Sequence, residues 1–193
     1  MNILRLTFLF YIIFLFLILI ANNFSIGDLN THFYFYFIQL VILLEVVVYI
    51  LKRLKRVVNI TPAYLILLIY TVINSLTLAF YPQLRDMIFN RFGHLISGII
   101  YAIIASEVIQ AGCDKTRLTF SKVFYLLFVF SLASTAGVLN EIIELGLDVA
   151  TGSHRIGPGF DTAIDLLMNT YGIVIILIMN SWKRRNPLTP PGA

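Results

Sequence analysis

Six long apolar segments constrain this chain more than any other feature. They lie at roughly residues 3–21, 34–51, 61–80, 92–111, 123–149 and 161–181. Each is near or above the ~20 residues that cross a bilayer as a helix. Lipid holds no water for unpaired backbone N–H and C=O groups, so each segment is expected to be helical. The connecting loops are short and polar. The expected fold is therefore all-α: a polytopic transmembrane helix bundle of six spans. It forms one domain over residues 1–182, with a short basic and Pro-rich tail at 183–193.

Composition agrees with that reading. Of the 193 residues, 59% are hydrophobic and 12% charged, and the mean hydropathy is +0.89. A soluble domain carries about 25% charged residues. The pI near 9.3 points to basic loops, not to a nucleic-acid partner, because no basic helix or aromatic-interleaved basic patch is present. The single Cys113 excludes an intrachain disulfide and a Cys-rich metal site. P-loop, GxGxxG and HExxH motifs are absent. Met1 to Arg5 and the apolar run to Ala21 resemble a signal peptide. Ala21-Asn22-Asn23 lacks a small-x-small cleavage pattern, so the run reads as a retained first span.

Lysine and arginine give the orientation. With a cytoplasmic N-terminus, the cytoplasmic segments hold eleven of the fourteen basic residues: Arg5, Lys52, Arg53, Lys55, Arg56, Lys115, Arg117, Lys122, Lys183, Arg184 and Arg185. The opposite side holds Arg85, Arg91 and Arg155. Both termini are expected in the cytoplasm, with the chain multi-pass in a plasma (inner, cytoplasmic) membrane.

Seven of the ten acidic residues fall inside or at the ends of these spans. A carboxylate in hydrocarbon costs roughly 2.5–3.5 kcal/mol on insertion scales, so it rarely sits there without a task or a partner. Glu141, Glu144, Asp148, Asp161 and Asp165 occur in one stretch. Given the orientation and a rise of about 1.5 Å per residue, they fall in a layer about 10–15 Å thick beneath the outer face, together with His94, Asn140 and Asn169. Glu141, Glu144 and Asp148 form one helical stripe. Asp161, Asp165 and Asn169 form a second, and His94, Gly98 and Tyr101, with Ser97 beside them, a third. Consecutive spans tend to be neighbours, so the three stripes are expected to face one another.

Carboxylates so close together need protons, a counter-charge or a metal. Arg91 and Arg155, with Arg85, are the candidate counter-charges. Oxygen-rich ligation with one imidazole suits Mn, Fe or Zn more than Mg or Ca, and facing carboxylate stripes are how bundles build metal sites. The candidate metal ligands are His94, Glu141, Glu144, Asp161 and Asp165. Glu141, Glu144 and Asp165 are also the candidate acid–base groups. A structural polar network holding three helices together is the alternative. Residues 151–160, with three glycines and a proline, read as a shaped turn over the cluster. It is either a lid carrying His154 and Arg155 or a plain connector. Glu45 and Glu107 fall in the inner half and need a separate role, either interfacial pairing or a proton relay.

Gly93-His94 with Gly98, then Glu107, then Glu141-x-x-Glu144, then Asp161-Thr162-x-x-Asp165 resemble, in order and spacing, the uncharacterised inner-membrane family typified by YjdF. The resemblance covers about residues 85–180. Leu145 stands where that family often has an aromatic, and Phe160 where it often has Trp. A looser similarity is to the VanZ-like family, which is linked to glycopeptide resistance. The YjdF-like resemblance implies a shared membrane site, with no assigned activity.

Three functions are open at this level. One is a metal-dependent enzyme acting on a lipid or lipid-linked substrate at the outer leaflet, with Arg91 and Arg155 receiving a phosphate head group. The second is a non-catalytic subunit of a larger membrane complex, docking other subunits through its first span or through Phe33-Tyr34-Phe35-Tyr36-Phe37. The third is a cation- or proton-coupled transporter using Glu45 and Glu107 as relay groups.

Overall fold

The structure is a computed structural model. It describes residues 60–80, 90–116, 120–152, 157 and 159–183, and nine isolated positions between Leu6 and Arg53. Internal contacts divide the chain into two compact units, Met1–Val57 and Val58–Ala193. In the first unit the nine described positions are all helical. Arg53 there donates to the Tyr49 hydroxyl from Nη2 at 2.7 Å and from Nε at 3.1 Å, with its guanidinium 5.2 Å from the ring centroid. That i, i+4 pair lets a cation fold back over an aromatic at the end of an apolar run. The rest of the first two apolar segments lies outside the described residues.

The second unit contains four helices: α1 (Thr61–Phe80), α2 (Asn90–Thr116), α3 (Lys122–Thr151) and α4 (Asp161–Lys183). No strand occurs among the described residues. α2 is the centre of the unit. It packs most extensively on α4, then on α3 and on α1. Stretches of α2, α3 and α4 are long and apolar enough to cross a membrane: Asn90–Cys113, Lys122–Ala150 and Asp161–Ser181.

Polarity explains how the helices pack. On α3 the large apolar side chains face outward, among them Val123, Leu127, Leu139, Ile142 and Val149. Its buried positions recur every fourth residue and shrink from Tyr125 through Val129 and Ala133 to Gly137, and the stripe then ends on Glu141, with Asn140 buried beside it. On α2 the buried face includes Ser97, Gly98, Ala102, Ala105 and Ser106. Small residues inside and large apolar residues outside is the pattern of helices in lipid, where burying Leu against Leu gains nothing over burying it in acyl chains. α1 instead buries Ala63, Tyr64, Leu67, Tyr70 and Thr71 at i, i+3 and i+4 spacing.

Two close approaches fix α4 on α2. A Cβ placed on Gly98 would collide with the Asn169 carbonyl oxygen. One placed on Gly172 would collide with the Leu95 carbonyl oxygen and lie 2.8 Å from the Ile99 nitrogen. The helix backbones touch there because neither glycine has a side chain. At one end of the bundle Lys122 Nζ donates to the Ser181 carbonyl at 2.8 Å, Asn180 Nδ2 to Ser106 Oγ at 3.1 Å, and Gln110 Nε2 to the Tyr125 hydroxyl at 3.3 Å. The Ser121 hydroxyl caps α3 by accepting from Phe124 N–H at 3.4 Å. At the other end α3 stops at Gly152, whose φ of 69° is left-handed and whose N–H donates to the Asp148 carbonyl at 2.9 Å. Gly159 repeats the left-handed conformation at φ 72° just before α4. These two glycines supply the turn that the 151–160 composition predicts. Positions 153–156 and 158 lie outside the described residues.

Candidate metal centre

Three helices each contribute one side chain to a buried group near the end of the bundle away from Lys122. His94 comes from the second turn of α2, Glu141 from α3 and Asp165 from the second turn of α4. Their relative exposures are 2%, 6% and 3%. One potential ligand atom from each lies within 4.8 Å of the other two. His94 Nδ1 is 3.4 Å from Glu141 Oε1, and His94 Nε2 is 3.5 Å from Asp165 Oδ2.

Local sequence explains the convergence. Glu141 continues the small-residue stripe of α3 one turn beyond Gly137, so it inherits the buried direction. Asp165 lies one turn before Asn169, whose backbone is pressed against Gly98, and that close crossing carries Asp165 to the α2 surface beside His94. Gly93 leaves space for Tyr70, whose hydroxyl would be 3.0 Å from a Cβ at that position. Thus α1 packs on α2 at the residue just before His94.

A second ring of polar groups surrounds the triad. Asn169 is 2% exposed, and its Nδ2 is 3.5 Å from His94 Nδ1. Asn140, also buried, donates to Glu144 Oε1 at 2.7 Å. Ser97 Oγ returns its proton to the Gly93 carbonyl at 2.9 Å. Glu141 Oε1, Asp165 Oδ1 and Asn169 Oδ1 are buried without a hydrogen-bond donor among the described residues. A buried oxygen left so costs about 1–3 kcal/mol. Three in one cluster is a concentration, because the remaining example, Ser134 Oγ, lies about two turns away on α3.

The five candidate ligands therefore separate. His94, Glu141 and Asp165 come together. Glu144 is half-buried and bonded to Asn140, outside the close triad. Asp161 opens α4 and accepts from the Gly157 backbone N–H at 3.2 Å, an approach that a side chain at position 157 would block. Asp148 is half-buried near the end of α3. Arg91 is half-buried, three residues before His94 on α2. Arg155 and His154 lie outside the described residues. Glu107 is half-buried on α2, thirteen positions past His94, or roughly 20 Å along the axis. Glu45 belongs to the first unit.

The donor set, one imidazole and two carboxylates, fits a divalent transition metal better than an all-oxygen ion such as Mg or Ca. No curated protein and no solved structure matches the chain. One family does match over residues 4–186, and its description, predicted membrane protein, agrees with helices long and apolar enough to cross a membrane. The chain belongs to that family, DUF2238.

Proposed function

We propose that this protein is a membrane-embedded, metal-dependent enzyme whose cation is held by His94, Glu141 and Asp165. One observation carries the reading: a carboxylate oxygen faces each nitrogen of one buried imidazole. A neutral imidazole has one N–H and one lone pair. Whichever nitrogen holds the proton, the other turns its lone pair toward a carboxylate. A cation at that position converts repulsion into coordination. The separations support this. At 3.4 and 3.5 Å they are long for hydrogen bonds, which run about 2.7–3.2 Å. The Nε2–Asp165 separation is also close to the edge of a tetrahedral shell with bonds near 2.0–2.1 Å, roughly 3.3–3.4 Å, and the ligand atoms of all three residues lie within 4.8 Å of one another.

Three protein ligands with an open fourth position are the pattern of catalytic sites, whereas structural zinc sites are closed by four. Mn, Fe or Zn suits the donor set. Such an ion, when bound, supplies a Lewis acid and an activated water. Glu144, positioned by Asn140 on the same helix as Glu141, is the group placed to accept a proton. The basic-residue count puts this end of the six-span bundle at the outer leaflet, with both termini cytoplasmic. A lipid or lipid-linked phosphate ester is the substrate class we favour, its phosphate received by Arg91 and Arg155. The order of the motifs supports a YjdF-like affiliation over a VanZ-like one.

A cation- or proton-coupled transporter would need a polar route away from the cluster. Within the packed interior around α2 and α4, Ile100, Ala102 and Ile173 are each 0% exposed, and the glycine contacts bring the two helix backbones together. That packing favours a closed site over a relay. A non-catalytic subunit would use the triad only as an interhelical tie, and a tie that sets a lone pair against a carboxylate is a poor one. Elemental analysis of protein purified in detergent tests the proposal. We expect one Mn, Fe or Zn per chain in the wild type and none in Glu141→Gln/Asp165→Asn. Metal-free wild-type protein from metal-supplemented cells removes the basis of the reading.

A further inference from the structure

Asn169 occupies a slot made for it by two other helices. Gly98 of α2 accommodates its backbone carbonyl, where a Cβ would collide. Gly137 of α3 accommodates its side chain, where a Cβ would lie 3.3 Å from Nδ2 and 3.5 Å from Cβ and Cγ. The amide held in that slot points at His94 Nδ1 across 3.5 Å, at the outer limit of a hydrogen bond.

The two orientations of this amide have different consequences. With Nδ2 toward the ring, its N–H must donate to a bare Nδ1. The Asn169 Oδ1 is then buried without a donor among the described residues, and the bare Nδ1 faces Glu141 Oε1 at 3.4 Å. With the amide turned about its last bond, Oδ1 accepts from Nδ1–H. The oxygen gains a donor, and Glu141 faces an N–H in place of a lone pair. The oxygen and nitrogen of an amide have nearly the same shape, so the hydrogen-bond partners decide between them.

We propose that Asn169 is a positioning residue: its carbonyl oxygen holds the proton on His94 Nδ1, so that Nε2 presents its lone pair beside Asp165 as the ligand. The inference rests on the metal-site reading for its purpose, though not for its geometry. Histidine ligands generally donate their second ring N–H to an oxygen, which fixes tautomer and ring orientation. Asn169 also takes this proton in competition with Glu141, leaving that carboxylate for the cation. Ser97 and Tyr101 continue the His94 face of α2, but Asn169 is the amide in contact with the ring.

The test is nitrogen NMR of protein carrying 15N-labelled histidine, stripped of metal, in detergent at mildly alkaline pH. We expect the His94 signals to show a protonated Nδ1 and a bare Nε2. The Asn169→Leu variant should shift the population toward protonated Nε2, and Asn169→Asp, which keeps an acceptor, should restore the wild-type pattern. A protonated Nε2 in the wild type overturns the proposal, as does a tautomer ratio that Asn169→Leu leaves unchanged. Cobalt affinity, measured in parallel, should fall about 10–100-fold in Asn169→Leu, the usual cost of losing the oxygen that holds a histidine ligand's other N–H, and recover in Asn169→Asp. Because the tautomer is read without metal, wild-type protein that binds no cobalt would defeat the metal-site reading while leaving the role of Asn169 to the spectra.

Discussion

The two ends of the α2–α3–α4 bundle handle buried polarity in opposite ways. At the Lys122 end each polar contact joins a donor to an acceptor, and the separations run from 2.8 to 3.3 Å. At the His94 end the contacts between helices lengthen to 3.4–3.5 Å, and three oxygens go without donors among the described residues. Apolar packing and the Gly98 and Gly172 approaches lie between the two. The Lys122 end ties helices together, as interhelical hydrogen bonds in lipid do, at about 0.6 kcal/mol each on average. The His94 end carries polarity that the bundle alone does not satisfy. Local rules broken in one place, with sound packing around it, mark a site kept for something other than stability.

Four variants sharpen this contrast. The largest effect should come from the seam separating the two ends. Gly98→Leu forces a side chain into the Asn169 carbonyl and should lower stability by about 3 kcal/mol or more, beyond ordinary overpacking because backbone must move. Thermal unfolding in detergent reads it. Next is a change of sign at the His94 end. In chelated protein, Asp165→Asn removes a carboxylate from the bare ring nitrogen of His94 and should raise stability by about 1–3 kcal/mol. With metal at a thousandfold excess over Kd, the wild type gains about 4.1 kcal/mol that the variant lacks, and the order reverses. An order that stays the same in both conditions would contradict the site.

Smaller effects are expected where packing is loose. No atom lies within 4 Å of a Cβ placed on Gly112, so Gly112→Ala should stabilise α2 by about 0.5–1 kcal/mol. At the Lys122 end, the double change Ser106→Ala/Asn180→Leu removes both partners of one hydrogen bond. It should alter stability by less than about 0.5 kcal/mol, since replacing both partners can be nearly neutral. Metal content should not change. A loss of metal in this variant would mean that the two ends are coupled and that the contrast drawn between them is wrong.

Much of the helical layout was legible from apolar runs and loop residues. The run at 61–80 coincides with α1, and those at 92–111, 123–149 and 161–181 sit inside α2, α3 and α4. α2 continues to Thr116 because a helix persists through charged residues such as Asp114 and Lys115, where an apolar window stops. The candidate site was legible in part. Residue type and depth single out His94, Glu141 and Asp165, and the structure brings them together. The same grounds single out Glu144 and Asp161, which fall outside the close triad. A helix turns about 100° per residue, so Glu144 lies about 60° from Glu141, between it and buried Asn140, and its carboxylate bonds to Asn140 rather than joining the triad. The small residues Ala133 and Gly137, at i−8 and i−4, were the signal that picks out Glu141. The slot around Asn169 was not legible. It depends on Gly98 and Gly137 meeting the same residue from two helices, a tertiary fact that no single stretch of sequence contains.

Cobalt titration of the metal-free protein, followed by visible absorption, tests the central claim most directly. The account predicts an intense ligand-field band, characteristic of low-coordinate cobalt, that saturates at one equivalent per chain and disappears in Glu141→Gln. No band in the wild type, or a band of equal strength and affinity in Glu141→Gln, would contradict it.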